Sequence, residues 1–318
     1  MAKKIIGLSC GSKNGNCETY IRAAAKGAAE FGVETEIIQA TALDIHPCRG
    51  CGGCSGKGNL RHSGKCVIND DVKWILDKTV LSDSALILAV PVFYLRPNGY
   101  FICINERMHP LMFSNLEILK RKKVGAIISH GGSPNDWACL SLPLLNIWTQ
   151  HFIRLVDQVH ISTIGGSVPK DPDLRAEELG RNVARAMMMP IEEVKYVGKD
   201  SSVTCPSCHC DVMQLSEYSP HVVCPVCWIH GEVSFDNSKM RVEWDEWETE
   251  NPRFGELGVF EHMGIGPRGD RLRFESSKTR GIQTDELSRD KEIQELMKHR
   301  EEFIRKYGRY GTVIKPPD

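Results

Sequence analysis

Five short apolar runs, at residues 3–9, 33–40, 84–92, 123–129 and 156–163, alternate with segments of helical periodicity, and this alternation is the strongest constraint on the fold. The third run is apolar almost throughout, as a parallel strand covered on both faces requires. Helices are predicted between the runs. Residues 18–31 carry Ala23, Ala24, Ala25, Ala28 and Ala29, a thin face suited to close packing, and Gly32 stops them. A second helix follows Asp70-Asp71, with Val72, Ile75, Leu76 and Thr79 on one side, and a third covers about 139–152. The fourth, 173–189, has Leu174, Leu179, Val183 and Met187 at helical intervals. The pattern predicts an α/β fold, a doubly wound five-stranded parallel sheet whose ligands bind at the carboxyl ends of the strands.

Composition narrows the function classes. Lys plus Arg is 40 against Asp plus Glu 41, so no charge excess points to nucleic acid or a membrane surface. No basic stripe with interleaved aromatics supports nucleic-acid binding. No run approaches a membrane span or a secretory h-region, which predicts a cytoplasmic protein. There, the 13 cysteines are expected to serve as structural, catalytic or metal-bound thiols, not as a disulfide framework.

Two cysteine sets have ligand spacing. Cys48-Arg-Gly-Cys51-Gly-Gly-Cys54, followed by Cys66, forms a glycine-rich loop able to wrap its backbone around one object. Spacing alone leaves zinc, an iron-sulfur cluster and free thiols open. Cys205-Pro-Ser-Cys208 and Cys224-Pro-Val-Cys227 are two knuckles that supply four thiolates for one tetrahedral ion. Zinc is the structural reading. Iron in a rubredoxin-like site is the rival, because Cys-Pro-x-Cys knuckles resemble that family too, although His209 and Trp228 stand where its knuckles usually continue with glycine. The loop from Ser9 to Cys17, between a strand and a helix N-terminus, has the chemistry of a phosphate cradle. Cys10 and Cys17 sit where a helix could lower a thiol pKa, or they simply replace small residues.

The expected organisation is a sheet domain over 1–198, a zinc-ribbon-like module over 199–235, and a polar tail over 236–318. The tail has an acidic patch containing Trp244 and Trp247, and a helix near 290–307 that presents Ile293, Leu296, Met297, Phe303, Ile304 and Tyr307. No internal repeat is present.

Several segments match one family in the right order. They are Gly7 to Asn16; Pro47-Cys48-x-Gly-Cys51-x-x-Cys54; Gly64-Lys65-Cys66-Val67 with Asp70-Asp71; Pro91-Val92-Phe93-Tyr94, running without a gap to Glu106-Arg107; and His130-Gly131-Gly132 with the helix at 144–152. Together they resemble the flavodoxin-like NADPH-dependent FMN reductase family and, within it, the iron-sulfur flavoprotein branch, over about residues 3 to 195. The resemblance implies that Ser9, Ser12, Lys13, Asn14, Asn16 and Cys17 hold the FMN phosphate. It places Pro91, Val92, Phe93 and Tyr94 along the ribityl chain and ring, and His130, Gly131 and Gly132 at the ring edge. It also implies a [4Fe-4S] cluster on Cys48, Cys51, Cys54 and Cys66, and a homodimer or homotetramer. The chain departs from the family in its first loop, which is one residue shorter and lacks the usual proline and arginine, and in Ile102, which replaces a lysine. The interval from Cys54 to Cys66 is lengthened by an insertion containing Arg61 and His62.

The function implied is an FMN-dependent oxidoreductase linked to NAD(P)H or a ferredoxin and reducing a small acceptor such as a quinone. Three alternatives are an electron carrier without its own substrate, a plain NAD(P)H:FMN or quinone reductase with a structural zinc site, and a redox-responsive binding module. Trp137, Trp148, His151, Tyr94 and Arg96 are candidates for a substrate pocket; Trp148 and His151 lie on a helix, where core packing is the commoner role.

Overall fold

The aliphatic runs become strands of one sheet because every second residue can be buried on each face. The computed structural model describes residues 3–54, 64–114, 122–133, 136–162, 171–215 and 220–255, together with Lys298, Glu302 and Arg305. Strands β1 (Lys4–Ser9), β2 (Glu34–Gln39), β3 (Ala85–Phe93), β5 (Lys123–Gly131) and β6 (Ile153–Ser162) pair in parallel in the order β2-β1-β3-β5-β6. The short β4 (Arg96–Pro97) turns back antiparallel on β3. This is the five-stranded parallel sheet expected from the sequence. Its order reverses between β1 and β3, which makes their carboxyl ends the switch point where such sheets bind ligands.

Alternate residues of the strands feed two cores. Ile6, Leu8, Leu86, Leu88 and Ile127 face α2 (Val72–Leu76), α3 (Gly99–Glu106), α4 (His109–Ser114) and α5 (Ser141–Thr149), and bury Phe101, Ile104 and Trp148. Ile5, Ile87, Ala89 and Ile128 face α1 (Asn16–Ala29) and α6 (Pro172–Ala186). Trp148 is thus a core residue. Leu174, expected on the apolar side of its helix, is 55% exposed, whereas Leu179 and Val183 are buried. Asp71 stands at the N-cap of α2 but does not cap it: its carboxylate accepts the Asp44 N–H instead, at 2.8 Å.

The alanine face of α1 meets α6 almost backbone to backbone. A Cβ on Gly27 would collide with the Glu177 carbonyl oxygen, and one on Gly180 with that of Ala24. Buried Asp157 anchors α6 to β6, accepting both terminal nitrogens of Arg175 (2.6 and 2.9 Å) and the Asn182 amide at 3.1 Å.

A second sheet, antiparallel and in the order β10-β9-β8-β7, is built from β7 (Gln214–Leu215), β8 (His221–Val223), β9 (His230–Asp236) and β10 (Lys239–Trp244). The ribbon therefore continues past residue 235. Asn237 and Ser238, both left-handed, form the two-residue turn of a β9–β10 hairpin, and α7 (Glu246–Glu250) follows. The acidic segment is not wholly a solvated face, since Trp244 packs against the ribbon cysteines. Sheet domain and ribbon form one compact unit, Met1–Phe260. In the second unit, Glu261–Asp318, Lys298, Glu302 and Arg305 are helical and exposed. The rest of the helix predicted near 290–307 lies outside the described residues. Among the described residues no helix is long and apolar enough to cross a membrane.

Gly180→Ala tests the helix contact. Alanine gains about 1 kcal/mol in helix propensity, but overpacking against a backbone oxygen costs about 1–3 kcal/mol or more. A net loss of roughly 1–2 kcal/mol is expected in urea unfolding, and an unchanged midpoint would show that the helices separate freely.

Candidate functional site

The parallel register brings three loops to one sheet edge. Ser9 lies beside Ala89, and Pro91 beside His130. In the first loop Gly15 N–H donates to the Ser12 carbonyl (3.0 Å), and Asn14 adopts a left-handed conformation that asparagine tolerates. Ser12, Lys13, Asn14 and Asn16 are exposed around the N-terminus of α1. The Asn14 N–H, however, is taken by buried Glu18 at 2.7 Å; this bond and the Arg22 guanidinium hold the Glu18 carboxyl below its usual range. Ser9 is fully buried, and its Oγ has no partner among the described residues. That orphaned hydroxyl, in a loop of hydroxyl and amide groups at a helix N-terminus, fits a phosphate ester. Burial pushes the Cys17 thiol up to about 12 and the Cys10 thiol higher still, so both are neutral and small, and neither is activated by the helix.

The second loop is a tight hairpin. Tyr94 and Leu95 are both left-handed, and Phe93 pairs with Arg96. Strain of this kind concentrates where a side chain must be presented: Phe93 is 61% exposed and Tyr94 90%. Across from them, Trp137 is also exposed and packs over Gly132.

The His130 ring is buried and tied on both sides. The Asn16 amide donates to its Nε2 (2.7 Å), leaving Nδ1–H to donate to the Ile161 carbonyl (3.1 Å), and Tyr20 meets its ring edge-on. The ring is neutral, and burial lowers its pKa.

Two positioning residues escaped the sequence reading. Asn98 caps α3 through its Oδ1 and donates Nδ2 to the Cys10 carbonyl (2.7 Å), tying the second loop to the first. An asparagine just before an apolar helix was a readable cap signal; its second bond was not. His160 donates Nε2–H to the Gly132 carbonyl (2.6 Å) and accepts from Ser129 at Nδ1 (2.9 Å), fixing the third loop from the neighbouring strand.

Cys48, Cys51, Cys54 and Cys66 line one concavity. Gly50 and Gly52 are left-handed, and these turns curl the leading three cysteines inward. Cys66 reaches the same space across the long interval, though the insertion with Arg61 and His62 lies outside the described residues. Both ends of the loop are tied by a buried ion pair. Arg107 grips Asp70 with two bonds (2.8 and 2.9 Å), and its side chain is 2% exposed. Arg107 also donates to the His46 carbonyl (3.0 Å), while Asp70 accepts the amides of His46 (3.0 Å) and Val72 (3.2 Å). Burial opposes ionisation of Asp70, but this fork and these amides outweigh it and hold the carboxyl below its usual range. The Cys66 thiol lies against the guanidinium. Arg107 Nε is buried without a partner among the described residues. Four thiols around one hollow, with an unused cationic donor in its wall, fit an anionic thiolate-bound centre.

The ribbon set is tighter. All four sulfurs of Cys205, Cys208, Cys224 and Cys227 are buried and lie within 4.8 Å of one another, with Cys208 and Cys224 Sγ 3.6 Å apart. A tetrahedron with Zn–S of about 2.3 Å has edges of about 3.8 Å, so the arrangement fits one ion. His209 and Trp228 are left-handed where glycine would cost least. Their rings are secured in return: His209 stacks on Tyr196 at 3.6 Å, and Arg253 lies over Trp228 at 4.8 Å. Gln158 of β6 donates to the carbonyls of Cys208 (3.3 Å) and His209 (2.7 Å), docking the first knuckle on the sheet.

Comparison with known proteins agrees with this geometry. The NADPH-dependent FMN reductase family matches residues 3–164. The iron-sulfur flavoprotein of Methanocaldococcus jannaschii is 31% identical over 196 residues, 60% of this chain and 96% of that protein. An iron-sulfur flavoprotein of Methanosarcina thermophila is 32% identical over 146 residues, 46% of this chain and 72% of that protein. The solved structure of a flavone reductase superposes with a TM-score of 0.64 at 22% identity, covering 99% of this chain and 100% of that one, a likeness of fold. The chain is a flavin-dependent oxidoreductase and belongs to the NADPH-dependent FMN reductase family, in its iron-sulfur flavoprotein branch.

Proposed function

We propose that the chain is an FMN-dependent iron-sulfur oxidoreductase that passes electrons between NAD(P)H or a one-electron donor such as a ferredoxin and a small organic acceptor. The observation that supports it most is the convergence of four cysteines on one concavity, in a domain whose three loops meet at the switch point of the sheet. FMN, when bound, exchanges a hydride or single electrons, so it can join a one-electron centre to a two-electron substrate.

In this reading Ser9, Ser12, Lys13, Asn16 and the backbone at Cys17 hold the phosphate, with Asn14 shaping the turn through its bond to Glu18. Pro91 and Val92 border the flavin, Phe93 and Tyr94 cover it, and Gly131 and Gly132 approach its edge. His130, joined to Asn16, holds the first and third loops together. Cys48, Cys51, Cys54 and Cys66 carry a [4Fe-4S] cluster, and Cys205, Cys208, Cys224 and Cys227 carry a structural zinc ion. A homodimer or homotetramer is proposed by the same family likeness, with exposed Phe93, Tyr94 and Trp137 available to a second subunit or to the acceptor.

Anaerobically purified protein is expected to contain about four iron, one zinc and one FMN per chain. Zinc in both sites without acid-labile sulfide would overturn the cluster assignment and leave a plain flavin reductase. Cys51→Ala is expected to abolish the iron signal while FMN content stays near one per chain; loss of iron and flavin together would show that the loop is needed for folding. Steady-state assays with NADPH, NADH and reduced ferredoxin, each with a quinone acceptor, separate an enzyme from a carrier. Turnover above the free-flavin rate is expected with at least one donor, and none with any would make the chain an electron carrier.

A further inference from the structure

Arg107 has a position that ion pairing alone does not explain. Its Nη atoms are committed to Asp70 and to the His46 and Ile68 carbonyls, one residue group on each side of the cysteine loop. These bonds join chain that precedes Cys48 to chain that follows Cys66, closing the loop without any help from its cysteines. A carboxylate from the same helix turn completes the closure: Glu106 accepts the Cys48 N–H at 3.4 Å. The remaining donor, Nε, is buried and unused among the described residues, and the side chain lines the concavity beside Cys66. Burying a guanidinium is costly unless its charge is balanced, and leaving one of its N–H groups without an acceptor adds to that cost. Asp70 balances the charge. Nothing described accepts from this last donor, and Cys66 is the cysteine of the hollow that interacts with the guanidinium.

We propose that Arg107 is the positioning residue of the cysteine centre: paired with Asp70 it closes the loop before metal arrives, and through Nε it donates to sulfur in the loaded site. The second half rests on the cluster reading above; the first does not. Hydrogen bonds to cluster sulfurs and nearby positive charge favour the reduced, more negative state. Arg107 therefore holds the cluster potential up as well as holding the loop closed. Lysine supplies the charge but not the planar fork that spans Asp70 and two carbonyls.

The test uses the full-length holoprotein, Arg107→Lys and the double variant Asp70→Asn/Arg107→Gln, which avoids leaving a buried carboxylate unpaired. Three quantities are read at equal FMN content: iron loss to a ferrous chelator, the cluster midpoint potential by EPR titration, and hydrogen exchange at the His46 and Val72 amides after metal removal. The double variant is expected to lose iron about ten- to a hundredfold faster, to have a lower potential, and to lose protection at both amides. Arg107→Lys is expected to lose iron faster with a smaller shift in potential. Wild-type iron loss and potential in the double variant would overturn the proposal. If the double variant yields no FMN-bound protein, Arg107→Lys decides, and wild-type iron loss there overturns it. Wild-type protein without iron or sulfide would instead overturn the cluster reading, and the amide protection would still decide whether Arg107 closes the loop.

Discussion

Parallel hydrogen bonding between β1, β3 and β5 is the constraint on which the rest of this molecule depends. Because the three strands run in one direction and in register, their carboxyl ends finish at one edge, and whatever follows each strand shares a small volume. Ser9, Pro91 and His130 are far apart in the chain yet neighbours there. The cross-braces come from short-range polar chemistry: Asn98 to the Cys10 carbonyl, Asn16 to His130, and His160 to the Gly132 carbonyl. Each spends a side-chain hydrogen bond to fix a loop that would otherwise lose conformational entropy on meeting a ligand.

The two cysteine sets hang from this frame by different means, and the difference suits different chemistry. The ribbon cysteines are buried, close together, and docked through Gln158 and the Tyr196–His209 stack, an arrangement that suits one permanently held ion. The loop cysteines border a hollow, with Cys48 and Cys51 exposed. Exposure leaves these two thiols open to solvent. It also removes the packing that would order the loop, and the Asp70–Arg107 pair replaces that packing with a buried, bidentate anchor.

How much could be read from the chain differs by element. The sheet and helices were legible because periodicity is a local property: Ile5 and Ile87 face one core, Leu8 and Leu88 the other, as their positions in each run require. The flavin loops were legible as loops. The tying of the His130 ring on both sides, the capture of the Asn14 amide by Glu18, and the failure of Asp71 to cap its helix were not, because each depends on which of several competing partners lies nearest in space. The ribbon was legible from its four cysteines but not in its extent, since β10 has too few buried residues to announce a strand; what holds it is pairing with β9.

Sequence by itself determined the fold class and the identity of the candidate ligands, since these follow from periodicity, residue type and spacing over a few positions, and it pointed to the family through the resemblance of motifs that occur in the same order. Tertiary structure decided that Cys66 joins Cys48, Cys51 and Cys54 around one space, that Arg107 and Asp70 close that loop from thirty-seven residues apart, and that the ribbon is docked on the sheet domain. The reason is physical. A thiol or a guanidinium announces what it can bind, but which partner it meets is set by a backbone whose course is fixed by contacts far away in the chain.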